Sequence, residues 1–403
     1  MNPQLAHGIR SVLAIPSFRR LWAAQFVSIF GDFLAFFAVS SYISFRLHGS
    51  PRQVTMVMVS FLVPFALVGP IAGVFVDRWD PRRTMIASDL VRAALIILMI
   101  FASAPWQFYI VFALLSTIST FFVPAQSVVT PLIVPREALI SASAAMQQTV
   151  QIVRMLSPAV AGALVGYLGE RSCYYLDSAT FLASAALIGG IVLPADRPHQ
   201  NKNVRSVVSD MNSGLKYVLL HPVIGFVVIA IAAAMFAISA FASLLAIYVR
   251  DVLHTGPYVY GATSAMVGAG TLAGAIAITP FARRMKHPAR LILFGLIVIA
   301  ASVSVLASSS ITAVALAACF GVGLGAALIV VPAFALLQSE AAPEMRGRVT
   351  SISWALFAAS QSVAIFFAGD VAARVGIVLV YYGCAGLMVV FAALGWLRLS
   401  KLT

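Results

Sequence analysis

The stretch Gly73–Arg92, GVFVDRWDPRRTMIASDLVR, sets Asp77, Arg78, Asp80, Arg82 and Arg83 within seven positions between two long apolar runs. Charge packed so densely between apolar segments implies a short, wet turn joining two buried helices. Asp89 and Arg92 follow inside the second run, three apart and so on one helical face, close enough to pair. Only 10% of the 403 residues are charged, so their confinement to such turns carries information.

Outward from this turn the chain is built for lipid. It is 61% hydrophobic with a mean hydropathy of +0.99, whereas soluble domains are about 45–50% apolar. A spanning helix takes roughly 20 apolar residues. Twelve such segments are legible, at about 21–45, 54–76, 84–104, 106–130, 141–168, 173–193, 223–249, 258–281, 290–308, 311–338, 349–370 and 375–397. Apolar residues run continuously instead of alternating, which excludes a barrel and leaves helices to satisfy the backbone. The expected class is an all-α membrane protein with twelve transmembrane helices in two six-helix bundles related by pseudo-two-fold symmetry. The bundles are expected at 1–193 and 222–403. Between them, at 194–221, lies a polar cytoplasmic linker in which Val204, Val207, Val208, Met211, Leu215, Val218 and Leu219 predict an amphipathic surface helix. Arg10, Arg19 and Arg20 precede an apolar run too long for a signal peptide, so the first span is expected to be uncleaved.

The excess of thirteen positive charges does not form the clustered footprint of a nucleic-acid binder, and no nucleic acid is expected as partner. It follows orientation instead. With a cytoplasmic N-terminus, nineteen Lys and Arg fall on the inner side and five on the outer, with Arg92 and Arg154 inside spans. That bias predicts a bacterial-type plasma membrane protein with both termini cytoplasmic. Cys173, Cys319 and Cys384 lack metal spacing and the six histidines all fall in tails or loops, so no metal site, cofactor or enzymatic constellation is expected. A GxxxxGK[ST] phosphate loop is absent, which excludes ATP-driven pumping by this chain.

Polar residues inside the spans are the functional candidates. Asp32 lies about twelve residues into the first span, roughly 18 Å deep. A carboxylate there costs about 2.5–3.5 kcal/mol on insertion scales, so it should face a cavity or a partner, and it is the candidate for proton coupling. In the fifth span Gln147, Gln151 and Arg154 form one stripe, with Arg154 at a depth similar to that of Asp32. An unpaired arginine would be costly, so Asp32 and Arg154 are expected to interact directly or through water and substrate. In the fourth span Pro124 is expected to break the helix and Gln126 to present an amide to a cavity. Asp177 is read as snorkelling near the external edge of the sixth.

The pattern Gly73, Asp77, Arg78, Arg82, Arg83 resembles the signature between helices two and three of the major facilitator superfamily. Gly31-Asp32, Asp77-Arg78-Trp79-Asp80, Asp89 with Arg92, and the runs Phe121–Ser127 and Pro131–Arg136 resemble its drug:proton antiporter branch, which includes macrolide efflux and enterobactin-exporter-like proteins. Pro81 departs from it, standing where that branch usually has a basic residue. The resemblance implies a secondary carrier, with Gly73, Asp77, Arg78, Arg82 and Arg83 as a conformational gate. Asp89, Arg92, Gln126, Gln147, Gln151 and Arg154 would form a cavity or charge network.

The second half answers the first. Pro124-Ala125 and Pro135 return as Pro332-Ala333 and Pro343 at one constant offset, the mark of an internal duplication with the site where the two bundles meet. It carries fewer internal charges, and Gly321, Gly323 and Gly325 are expected to make its tenth span bendable. Phe236, Phe241, Trp354 and Phe357 are expected as aromatic walls. The reading is a monomeric multidrug-type antiporter that exports amphipathic or lipophilic small molecules against protons. A lysophospholipid or siderophore carrier, and a membrane sensor that transports nothing, are the alternatives.

Overall fold

Seven long helices begin on a proline: Pro16, Pro51, Pro81, Pro105, Pro222, Pro257 and Pro288. At the first helical position the missing N–H costs nothing and the fixed φ already suits the helix, so each proline stops the preceding loop and starts a span. The computed structural model describes residues 9–76, 79–193, 216–218, 220–282, 288–342 and 345–399. Its long helices are α1 (Pro16–Ser41), α2 (Pro51–Val76), α3 (Pro81–Leu98), α4 (Pro105–Ile133), α5 (Leu139–Leu168), α6 (Glu170–Gly189), α7 (Pro222–Asp251), α8 (Pro257–Ala282), α9 (Pro288–Ala307), α10 (Thr312–Glu340), α11 (Arg346–Val375) and α12 (Ile377–Leu399). Eleven are long and apolar enough to cross a membrane. The other is α6, whose 20 residues carry Glu170, Arg171 and Asp177. Asp77, Arg78 and nearly all of the expected amphipathic linker helix lie outside the described residues.

The chain divides into two packed units, Met1–Gly49 with Met56–His199, and Ser50–Thr55 with Gln200–Thr403. In the first, α1 packs on α5 and α6, and α3 on α4 and α6. In the second, α7 packs on α11 and α12, and α9 on α10 and α12. These are the same pairs shifted by six helices. Backbone landmarks repeat with them. His48 after α1 and His254 after α7 are the positive-φ non-glycine residues among those described, at 50° and 51°. Each ends its helix in the same way, with Gly49 N–H donating to the Ile43 carbonyl (2.8 Å) and Thr255 N–H to that of Val249 (3.1 Å). Gly169 between α5 and α6 and Gly376 between α11 and α12 also share a left-handed backbone, φ 81° and 87°.

A left-handed residue with a Cβ is strained. Replacing His48 or His254 by Gly should therefore stabilise the protein by about 0.5–1 kcal/mol, seen as a small rise of the melting temperature in detergent.

Two expectations are corrected. α4 runs unbroken through Pro124 and Pro131, with Phe122, Ala125 and Val129 beside them buried in the core. In α10, Gly321, Gly323 and Gly325 are not hinges but points of close approach. A Cβ on Gly323 would run into the Val267 carbonyl of α8, and one on Gly325 would meet Ile299 of α9 at 2.6 Å. Gly270 and Gly274 of α8 answer from the other side against Phe320, Leu324 and Ala327. Small residues let backbones touch where lipid offers no hydrophobic drive for association.

Candidate functional site

Within the first unit, α1 presents Asp32 to α3 and α6 because the residue before it has no side chain. A Cβ on Gly31 would overlap Thr180 Oγ1 and Asp177 Oδ1 of α6. Gly31→Ala should thus cost about 1–3 kcal/mol by overpacking, whereas Gly69→Ala inside α2, with nothing within 4 Å, should raise the melting temperature slightly, alanine being the better helix former by about 0.5–1 kcal/mol.

Asp32 Oδ2 lies 3.9 Å from Arg92 Nη1, and its side chain keeps 40% of its exposure. Arg92 is otherwise enclosed. Its guanidinium donates to Asp89 Oδ1 one turn earlier on α3. It is sandwiched between the rings of Phe122 of α4 and Phe181 of α6, at 4.8 and 4.4 Å from their centroids. Aromatic faces and a carboxylate together replace the water a buried cation would lose. Asp89 is fully buried and Asp177 nearly so, at 1% exposure. Asp32 and Asp89 thus pair with the Arg92 guanidinium, and Asp177 lies within electrostatic reach of Arg92 and Asp32. One oxygen each of Asp89 and Asp177, and Arg92 Nε, are buried without a hydrogen-bond partner.

Asp177 overturns its reading as a snorkelling edge residue. α6 starts directly after Gly169, so Asp177 lies two turns inside it, where Thr180 Oγ1 is 3.2 Å from its Oδ1. A direct Asp32–Arg154 ion pair is not made. Arg92 occupies that place, and Arg154 is exposed with no ion pair or hydrogen bond among the described residues. Gln147 and Gln151 are exposed beside it on the same stripe of α5, and Gln126 is half-buried, its amide 3.8 Å from the Met146 sulfur. The aromatic walls expected in the second unit are partly core: Phe241 and Phe357 are buried, while Trp354 is exposed against Phe334.

At the charged turn, Asp80 caps α3 by accepting from the Arg83 N–H (3.1 Å), with Pro81 at the first helical position. That is the physical use of the residue that departs from the family pattern. Gly73 lies in the last turn of α2. Arg82 donates to the Gly189 carbonyl and Arg20 of α1 to that of Gly190, so two arginines cap the C-terminal end of α6. In the second unit Asp370 of α11 pairs with Arg52 at 3.2 Å. No cluster of three or more metal-ligating side chains occurs among the described residues.

Comparison with known proteins agrees with this architecture. The profile of the Major Facilitator Superfamily matches residues 21–365. Macrolide efflux protein A of Streptococcus pyogenes is 25% identical over 374 residues, 89% of this chain and 90% of that one. The uncharacterized MFS-type transporter YfiS of Bacillus subtilis is 27% identical over 256 residues, 62% of this chain and 61% of that one, so the match spans less than two thirds of that relative. Among solved structures, a bacterial homolog to the human lysosomal transporter Spinster, in an inward-facing and occupied conformation, superposes with a TM-score of 0.76. It is 12% identical, over 94% of this chain and 95% of that one, a likeness that speaks for the fold.

Proposed function

The chain belongs to the Major Facilitator Superfamily and is an integral membrane transporter, not an enzyme, and on that premise we propose that it exports amphipathic or lipophilic small molecules in exchange for protons. The observation that carries this reading is Asp32: an acid at mid-span, 40% exposed, in contact with an otherwise buried charge network. Such a group can take a proton from water on one side and pass its change of charge to Arg92. Alternating access then ties that change to cargo movement. Gln147, Gln151 and Arg154 support a wet path, because an exposed polar stripe at this depth would be costly against lipid. We assign them, with Gln126, to cargo contact. The turn with Gly73, Asp77, Arg78, Arg82 and Arg83 acts as gate, Arg82 through its hold on the end of α6.

The likeness to macrolide efflux protein A favours lipophilic cargo of that kind. The protein works as a monomer in a bacterial plasma membrane, with both termini cytoplasmic. Everted membrane vesicles given an inward-acid pH gradient test the assignment. Erythromycin uptake that collapses with nigericin supports it, whereas uptake indifferent to the gradient overturns proton exchange.

A further inference from the structure

Asp177 is used by nothing above, yet its surroundings are poor ones for a charge. Its side chain is buried, Oδ2 has no hydrogen-bond partner, and Oδ1 has only the hydroxyl of Thr180, which also lies 2.7 Å from the Asp177 backbone carbonyl. A buried carboxylate normally collects several donors or a cation. The cation at hand is already engaged, since Arg92 donates to Asp89 and faces Asp32. The other cations brought to α6 are held at its ends: Arg46 by Glu170 at the start, and Arg20 and Arg82 by the Gly190 and Gly189 carbonyls at the finish. α1 brings Asp32, within electrostatic reach of Asp177; α3 brings Asp89 and Arg92; and α5 brings Arg154, which is exposed and not in contact. On α6 itself Cys173, one turn away, is within electrostatic reach. With all three carboxylates ionised, the enclosed cluster would hold a net charge of minus two.

We propose that Asp177 is a second proton-carrying residue of the transporter, holding a proton that it exchanges with Asp32. The inference rests on the proton-coupled reading for its use in transport, but not for the proton itself. In the exchange the O–H bond at Asp177 Oδ2 breaks as one forms on the Asp32 carboxylate. The negative charge moves from Asp32 to Asp177, and the total charge of the cluster is unchanged. Asp32 is the exposed half, and Asp177 the closed half behind Gly31. The proton then belongs to the pair, so neither residue titrates independently.

Infrared spectroscopy of the full-length protein in lipid near neutral pH tests this directly, because a protonated buried carboxyl gives a C=O band distinct from that of carboxylate. The expected result is a band that Asp177→Asn removes and that Thr180→Val, which strips the neighbouring hydroxyl, moves in frequency. Should Asp177→Asn fail to fold, the Thr180→Val displacement decides alone. A band that stays in Asp177→Asn and is lost in Asp89→Asn overturns the proposal, as does a wild type with no such band. Gradient-independent erythromycin uptake beside an intact Asp177 band would sink the transport reading and leave the proton on Asp177.

Discussion

Everted vesicles carrying Asp32→Asn take up erythromycin no faster than vesicles lacking the protein when a pH gradient is the only driving force. The amide has the size of the carboxylate but cannot change charge. Arg92 keeps its contact with Asp89 and its two aromatic rings, so the variant should fold and insert. Downhill exchange of cargo at equal pH should persist, because only the coupling has been removed, and its rate should lose the pH dependence of the wild type. Full gradient-driven uptake by this variant would refute the role given to Asp32.

Arg92→Met attacks stability instead. Methionine keeps much of the length and polarizability that fills the gap between Phe122 and Phe181. What it removes is the charge, leaving Asp89, which is fully buried, without its partner. Breaking a buried pair from one side costs about 3–5 kcal/mol, enough to lower the melting temperature by many degrees and to deplete the protein in the membrane. Adding Asp89→Asn should recover most of the loss, because an amide can stay buried without a counter-charge. A single variant that melts like wild type would mean that the network carries no structural weight. A double variant no better than the single would place the loss in packing around the rings.

The parts of this protein that were legible in the sequence are those set by one-dimensional rules. Apolar length marked the spans, and the three-residue spacing of Asp89 and Arg92 marked a pair, because hydropathy and helical period are both local. What depended on azimuth was not. Counting residues gave Arg154 a depth similar to that of Asp32, but depth leaves the direction of a side chain open, and Arg92 on α3 holds the facing position. Asp177 was misplaced for a related reason. Its charged neighbours Glu170 and Arg171 resemble a loop, yet Glu170 is buried against Arg46 and already belongs to the helix. Gly31 carried the missing signal, since a glycine beside a mid-span acid implies something tight against it. The glycines of α10 show the same ambiguity, because a run of small residues serves bending and contact equally well until a neighbour is seen.

The two guanidinium caps at the end of α6 have a mechanical consequence. Arg20 belongs to the helix that carries Asp32, and Arg82 to the helix that carries Asp89 and Arg92. A pull on the polypeptide just beyond residue 190 is therefore not absorbed by unwinding the last turn of α6. The load passes through two bonds to the roots of both charge-bearing rods, so tension in the downstream chain reaches the helices that hold Asp32, Asp89 and Arg92.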